Sequence, residues 1–286
     1  MKIKMVYCWA ILPVLLISCN TSRYIYSPAT QNVPVLVKKG DSKLSASYST
    51  DLSDPPFADN STESVPEKNN GFDLQGAVAL TDNFALQASY FNRTERDNSN
   101  GYYSGDAVVN YKRNLAEIGI GYFKSLNARD KVFFQLFGGA GKGKFSLTDR
   151  GTHTDSVSTN YTRYHQADIT KFYLQPAMIF RPRPGFALSI STRLSIIKYG
   201  NIKTDYTDSE LQDYELDNLS RGTYAFWEPA FTNSFGFKKL PGLRFEYQLG
   251  FSLSLNERPI HYHPFNFSLG MAFDFPKLFA GQPATD

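Results

Sequence analysis

The chain has 286 residues, and its 30 lysines and arginines exceed its 27 aspartates and glutamates by only three charges. So small an excess argues against a strongly basic nucleic-acid-binding protein. Aromatic residues make up 15% of the chain, which indicates a special use for rings. Both cysteines, Cys8 and Cys19, lie within the first 20 residues, so the rest of the chain can form neither a disulfide nor a thiolate metal site.

The N-terminal residues have the pattern of a targeting signal. Lys2 and Lys4 form a short basic region, and residues 5–17 form an apolar run that is too short to cross a bilayer as a helix. The run ends in Leu-Ile-Ser-Cys at positions 16–19, which resembles the lipobox of bacterial lipoproteins. The resemblance implies that Cys19 becomes the lipidated first residue of the mature chain, carrying fatty acids such as palmitate. An ordinary signal peptide with an incidental cysteine is the alternative.

Apolar and polar residues alternate with a period of two through most of the remaining chain. In residues 243–255 every odd position is apolar, and every even position is Arg, Glu, Gln, Gly or Ser. Successive side chains of a strand point to opposite faces, so this pattern predicts a strand with one apolar face. The same template predicts ten strands, at residues 42–50, 71–80, 84–93, 113–124, 131–146, 169–181, 186–197, 223–237, 243–255 and 264–275.

The predicted connections alternate between short and long. Turns at 81–83, 125–130, 182–185 and 238–242 alternate with polar loops at 51–70, 94–112, 147–168, 198–222 and 256–263. This alternation is typical of an antiparallel up-and-down transmembrane β-barrel with short periplasmic turns and long extracellular loops. An even number of strands puts the first and last residues of the barrel wall on the short-turn side. The lipid-anchored Cys19 is expected on that periplasmic side as well.

A soluble calyx of the lipocalin kind also alternates, with its apolar residues inside, and is the structural alternative. Here the non-apolar face is rich in small residues such as Gly119, Gly139 and Gly250, which suit the interior of a narrow barrel. Aromatic residues collect near the predicted strand ends, for example Phe186 and Phe235, as in the interfacial girdles of membrane barrels. Both features favour the membrane barrel.

A wider resemblance is to the lipidated or signal-bearing outer-membrane β-barrel proteins of Bacteroidetes. The stretches that carry it are Tyr26-Ser27-Pro28, Asn32-Val33-Pro34, Lys39-Gly40-Asp41 and the sequence GFDLQGA at 71–77. This resemblance brings no catalytic residues with it. Together with the strand pattern it divides the chain into a lipoprotein signal peptide at 1–18, a periplasmic N-terminal segment at 19–41, an outer-membrane barrel at 42–275 and a periplasmic C-terminal tail at 276–286.

Strand alternation also predicts which charged residues point into the barrel. Ten strands enclose a narrow interior, and an isolated ion buried there costs several kcal/mol, so the inward charges are expected to pair. Such pairing would plug the lumen, and a thin polar path is the alternative. The predicted lumen charge network consists of Arg93, Arg193, Arg244, Asp73, Glu117, Glu228 and Glu246.

The sequence contains none of the common nucleotide-binding, zinc-hydrolase or serine-hydrolase motifs, so no catalytic residue and no cofactor is predicted. All four histidines fall in or beside predicted loops. Of these, His261 and His263 would share one side of an extended segment and are weak candidates for a metal site. Solvated loop histidines are the simpler interpretation.

These observations predict a non-catalytic integral barrel lipoprotein of the bacterial outer membrane, with a largely plugged lumen. It would serve as a scaffold, an adhesin or an accessory subunit. The expected partners are outer-membrane lipids and lipopolysaccharide, together with a possible outer-membrane protein partner, but no nucleic acid. A narrow small-solute pore and an outer-membrane hydrolase with a site at the extracellular rim are the alternatives.

Overall fold

The computed structural model of the chain describes residues 23–51, 68–100, 106–154, 158–183, 185–237, 239–257 and 260–275. The predicted signal peptide, Cys19 and the predicted tail at 276–286 lie outside the described residues.

The described part of the chain contains eleven strands and one short helix. In chain order they are β1 (Ser42–Thr50), β2 (Lys68–Ala79), β3 (Phe84–Asn100), β4 (Asp106–Ser125), β5 (Val132–Thr154), β6 (Ser158–Arg183), β7 (Phe186–Thr204), α1 (Asp208–Asp213), β8 (Tyr224–Phe237), β9 (Leu240–Phe251), β10 (Leu253–Ser254) and β11 (Phe265–Phe273). Neighbouring strands pair antiparallel, and β11 lies between β9 and β1, which closes the sheet. Because β10 continues along β8 just after β9, the wall has ten strands. The predicted all-β, antiparallel up-and-down barrel is confirmed.

The two ends of the barrel differ, and we name them by their connections. At the turn end, short segments such as 80–83 and 126–131 join the strands. At the loop end lie the longer connections, including residues 205–223 with helix α1. The predicted loops at 94–112, 147–168 and 198–222 are wrong in extent, because β3 to β7 run well into them. β6 has 26 residues, whereas about ten are enough to cross a membrane, so these strands project beyond it.

On β4 to β7 the two faces of each strand exchange polarity part of the way along. On β4 the outward side chains of Ile118 and Ile120 are 64% and 58% exposed, and the inward Glu117 is buried. Towards the loop end the same outward face presents Lys112, while the inward face buries Tyr111. The first arrangement suits a barrel wall in lipid, and the second suits one in water. We call this boundary the polarity switch.

Below the polarity switch, an apolar belt surrounds the barrel. Exposed members lie on strands all around the wall, among them Phe72, Leu86, Ile120, Phe172, Ile190, Phe251 and Leu269. On the same strands as Phe251 and Leu269, the side chains of Gln248 and Ser268 point the other way and are buried, as expected from the period of two. Among the described residues, no helix is long and apolar enough to span a membrane.

We predict that Ile118→Arg destabilises the barrel in lipid vesicles by about 2–4 kcal/mol, the usual cost of a lipid-facing cation near the bilayer midplane. Asn114→Arg is the matched control, because Asn114 lies on the same face of β4 but beyond the polarity switch. It should cost no more than about 1 kcal/mol. Urea unfolding of the vesicle-inserted protein measures both, and equal effects would contradict the position of the belt.

Candidate functional site

The interior of the barrel is occupied by the chain's own N-terminal residues. Residues 23–37, which we call the luminal segment, precede β1, and Ile25, Tyr26, Val33 and Leu36 are among their buried side chains. The predicted periplasmic segment at 19–41 therefore needs correction, since most of its described part lies inside the wall. A polar interior that would otherwise hold water or isolated charges is instead filled by peptide.

The luminal segment runs from the loop end to the turn end. At the loop end Arg23 forms an ion pair with Asp149, and the Ile25 amide donates to the carbonyl of His261 at 2.8 Å. At the turn end the Lys39 amide donates to Asp82 Oδ1 at 2.9 Å, and Gly40 has a positive φ of 86° that reverses the chain into β1. The start of the described chain is thus at the loop end, not at the short-turn end where the anchored N-terminus was expected.

The start of the luminal segment pairs with backbone, since Tyr26 forms a parallel bridge with Tyr262. Farther along, glutamine side chains of the wall hold the backbone of the segment, because its polar groups need partners inside the barrel. Four glutamines on β2, β5, β6 and β9 donate to successive parts of the segment. The amide groups of Gln75, Gln135, Gln175 and Gln248 donate to the carbonyls of Thr30, Pro34, Asn32 and Gln31 at 2.8, 2.5, 2.7 and 2.9 Å. A cavity of about 20 Å³ beside Thr30 and Gln31 has room for about one water molecule.

The charged residues of the inner wall pair with one another and with the luminal segment. Glu117 faces Arg193 at 3.2 Å and Lys171 at 3.4 Å, and Lys171 lies 3.8 Å from Glu228. Glu228 also accepts hydrogen bonds from the Tyr26 hydroxyl of the luminal segment and from Ser195. These contacts join four wall strands to the segment through one group of charges.

The structure places the seven predicted lumen residues as follows. Arg93, Arg193, Arg244, Asp73, Glu117 and Glu228 are all buried, while Glu246 is half-buried near the turn end. They do not form one group: Arg244 pairs with Asp274 at 2.9 Å and Glu246 with Lys43 at 2.7 Å, whereas Arg93 pairs with Asp51. Asp73 accepts from the Thr30 amide at 3.1 Å and from Ser49.

Apolar layers close the lumen at both ends. At the loop end, Ile25 and Tyr26 pack among Phe145, Tyr199 and Phe226 in the largest hydrophobic cluster. At the turn end, Val33 and Leu36 pack against inward residues of β2 to β7. The middle of the lumen is therefore polar, with an apolar seal on either side.

The connection between β7 and β8 covers the loop end. Helix α1 within it begins with a capping box, in which Thr207 and Glu210 satisfy each other's backbone amides. Tyr214 beyond the helix lies over the Arg23 guanidinium, with 4.0 Å from the guanidinium carbon to the ring centroid. Burial is the largest single influence and would lower the pKa of Arg23, but the Asp149 carboxylate together with Tyr111, Tyr206 and Tyr214 holds that pKa above its ordinary value. Arg23 is thus a fixed cation beneath this cap.

A second buried group lies just below the cap and contains Asp51, Glu95 and His263, whose ligand atoms lie within 4.8 Å of one another. In spacing it would suit a metal ion. However, Asp51 already pairs with Arg93 and Glu95 with Arg113, so two guanidinium groups already balance the charge of the two carboxylates. We interpret it as an ion-pair cluster.

His261 and His263, the two weak candidates for a metal site, have different surroundings in the structure. His263 is buried, lies 3.3 Å from Glu95 and stacks on Tyr24 at 4.3 Å between ring centroids. His261 is partly exposed and pairs with Glu215 at 3.0 Å. Each histidine therefore has a different acidic partner, and the structure does not bring them together.

Strand alternation places Gln248 inside the barrel, but sequence reasoning missed the other wall glutamines, Lys171 and the luminal segment. Lys171 has the same strand parity as Tyr173 and Gln175, so alternation could have placed it inside with them. The glutamines carried a subtler signal: an amide recurs at an inward position on β2, β3, β5, β6 and β9. Uncharged side chains that both donate and accept suit a wall that must bind a backbone.

No family model and no curated protein matches this chain. Solved structures of outer-membrane barrels match it at low identity. The outer membrane protease OmpT from Escherichia coli is 12% identical with a TM-score of 0.43, and the match covers 82% of this chain and 94% of OmpT. The translocator domain of the autotransporter NalP from Neisseria meningitidis is 10% identical with a TM-score of 0.44, covering 83% of this chain and 89% of that one. The COG4313 outer membrane channel from Pseudomonas putida F1 is 14% identical with a TM-score of 0.40, and the match covers 85% of this chain and 99% of the channel. What this chain shares with them is a β-barrel architecture.

Proposed function

We propose that the protein is an outer-membrane β-barrel whose lumen is plugged by its own N-terminal segment and which acts as a non-catalytic scaffold, adhesin or accessory subunit. The observation that carries this proposal is the luminal segment, which crosses the whole interior and is hydrogen-bonded to the wall along its length. The belt of exposed apolar side chains supports a membrane setting, because a closed barrel leaves no unpaired strand edge in lipid.

In the proposed orientation the loop end faces the outside of the cell, and Cys19 is lipidated. An extended chain covers at most about 3.6 Å per residue, so four residues allow a lipid on Cys19 to be attached no farther than roughly 14 Å from Arg23. Arg23 is at the loop end, beside Asp149. The lipid would therefore lie on the outer face, not on the periplasmic leaflet that the sequence suggested. The barrel would then hold an N-terminal anchor or display segment at the cell surface.

A pore is the less favoured function because little open space remains in the lumen. A ten-stranded barrel is already narrow, and here a peptide and its paired charges take up the interior. An enzyme is also less favoured, because the acid and histidine cluster of Asp51, Glu95 and His263 is buried and already paired with arginines. A substrate would have to displace the cap to reach it.

We predict that planar-bilayer recordings of the purified protein show no steady conductance. Removal of residues 25–36 should produce channels, since it empties the lumen while leaving the wall sequence intact. If that variant does not fold, Gln175→Ala with Gln248→Ala offers a milder change, expected to give intermittent openings as the segment loosens. Large, reproducible channel steps from the unmodified protein would contradict the proposal and favour a pore.

A further inference from the structure

Four lysines form a cationic patch on the outside of the barrel. Lys112 on β4, Lys142 and Lys144 on β5 and Lys198 on β7 are all exposed. They share the outward face of the wall with the apolar belt, on neighbouring strands. We call them the lysine patch.

The register of the sheet brings these lysines close together. Thr170 on β6 lies directly opposite both Lys142 on β5 and Lys198 on β7. Lys144 lies opposite Asn114 on β4. Adjacent strands are about 4.8 Å apart and side chains of one face recur about every 6.8 Å, so Lys142, Lys144 and Lys198 lie roughly 10 Å from one another. A single multiply charged anion could contact all three.

The patch keeps an excess of positive charge. Among the described residues, no carboxylate lies within ion-pair distance of any of the four lysines. Asp168 on β6 lies directly opposite Lys144 in the register, and its carboxylate accepts a hydrogen bond from Asn201 Nδ2 at 2.7 Å. Two adjoining shallow cavities of about 520 and 630 Å³ open between these side chains. Excess positive charge beside open space is what an anionic ligand requires.

The position of the patch relative to the belt identifies the kind of ligand. On β5 and β7, Lys142 and Lys198 are the first charged outward residues after the belt, and Lys198 follows the exposed Ile196 on the same face. The exposed Phe172 stands just below Thr170. On the opposite wall, Phe251, Leu253 and Phe265 occupy the loop ends of β9, β10 and β11. Among the described residues at the loop ends of these three strands, no exposed lysine or arginine borders the belt.

We propose that the lysine patch binds the phosphate groups of a phosphorylated glycolipid in the outer leaflet. Ammonium groups bind phosphate as point charges, and the belt directly beneath would contact the acyl chains of the same molecule. Asn114 and Thr170, between the lysines, offer uncharged hydrogen-bonding groups that suit sugar hydroxyls. This inference rests on the proposed outward orientation of the loop end.

The test uses the full-length protein in detergent and native mass spectrometry with lipid A as the probe. The variant Lys142→Gln, Lys144→Gln, Lys198→Gln removes three charges from the patch. Each lysine near an anionic headgroup contributes roughly fivefold, so binding should weaken about a hundredfold. The control removes three exposed lysines at the turn end, Lys124→Gln, Lys131→Gln and Lys239→Gln, and should bind as the unmodified protein does.

Two further arms identify the chemistry that is recognised. Dephosphorylated lipid A should bind the unmodified protein as weakly as lipid A binds the triple patch variant. Inorganic phosphate in excess should not displace lipid A, because it lacks acyl chains. If the triple variant does not fold, its three single substitutions should each weaken binding about fivefold.

The inference would be overturned by equal lipid A binding to the patch variant and the unmodified protein, by equal binding of the dephosphorylated lipid, or by complete displacement with inorganic phosphate. None of these outcomes bears on the plugged lumen, which the conductance recordings test independently. The two proposals can therefore fail separately.

Discussion

Glu117→Gln is expected to destabilise the barrel by about 3–5 kcal/mol, the cost of removing one partner from a buried ion pair. Glu117 faces Lys171 and Arg193, and both cations are buried. Glutamine keeps the shape of the side chain and can still accept from Ser89, which donates to Glu117 at 3.0 Å. The loss therefore comes from the charge, which leaves two buried cations to share Glu228.

Urea unfolding in detergent or in vesicles measures this effect. Glu215→Gln is the matched control, because Glu215 pairs with His261 at 3.0 Å at the loop end and its side chain is 54% exposed. Its effect should stay within about 1 kcal/mol, since an exposed ion pair is worth little. If the two variants lose equal stability, the buried charges do not hold the lumen closed in the way described.

An epitope tag placed between Ser22 and Arg23 is expected to bind antibody on intact cells. Because Arg23 lies beside Asp149 at the loop end, a tag there should label as strongly as one inserted after Asp213 in the β7–β8 connection. A tag in the turn at residues 81–83 should label only after the outer membrane is opened. Each tagged chain must first show the gel mobility of the folded barrel.

The opposite result would be equally clear. If the tag before Arg23 stays hidden on intact cells while the Asp213 tag is labelled, the segment does not run from the loop end in the living membrane. If instead the tag at 81–83 labels on intact cells and the two loop-end tags label only in opened cells, the barrel has the reverse orientation. The first outcome contradicts the luminal path and the second contradicts the direction of insertion.

The sequence was sufficient for the architecture because alternation is a local property. Residues 42–50 were predicted as a strand and form β1 with the same bounds. The loop-end limits of β4 to β7 were wrong for a physical reason: beyond the polarity switch, Leu115 and Tyr111 point inward and Lys112 points outward. A template that requires apolar residues on the outside stops at that switch, although the strands continue past it.

The interior was only partly accessible to the same reasoning. Strand parity points Arg193 and Glu117 inward, and they lie 3.2 Å apart in the structure. The luminal segment carries no period, since its residues face wall side chains in every direction. Its partners, such as Gln75 and Gln248, are scattered over 174 positions of sequence, and nothing local connects them. Only closure of the wall brings them together around one peptide.

The reversal at Gly40 has a consequence for the order in which the protein assembles. Because residues 38–41 lead directly from the luminal segment into β1, the wall cannot be completed first and filled later without pulling the free end through. The last seam joins β1 to β11, whose residues pair across more than 200 positions and so form the most costly contact in chain entropy. The sheet is therefore expected to close around the luminal segment. Substitutions in this segment should slow the pairing of β1 with β11 before they make the folded barrel conduct ions.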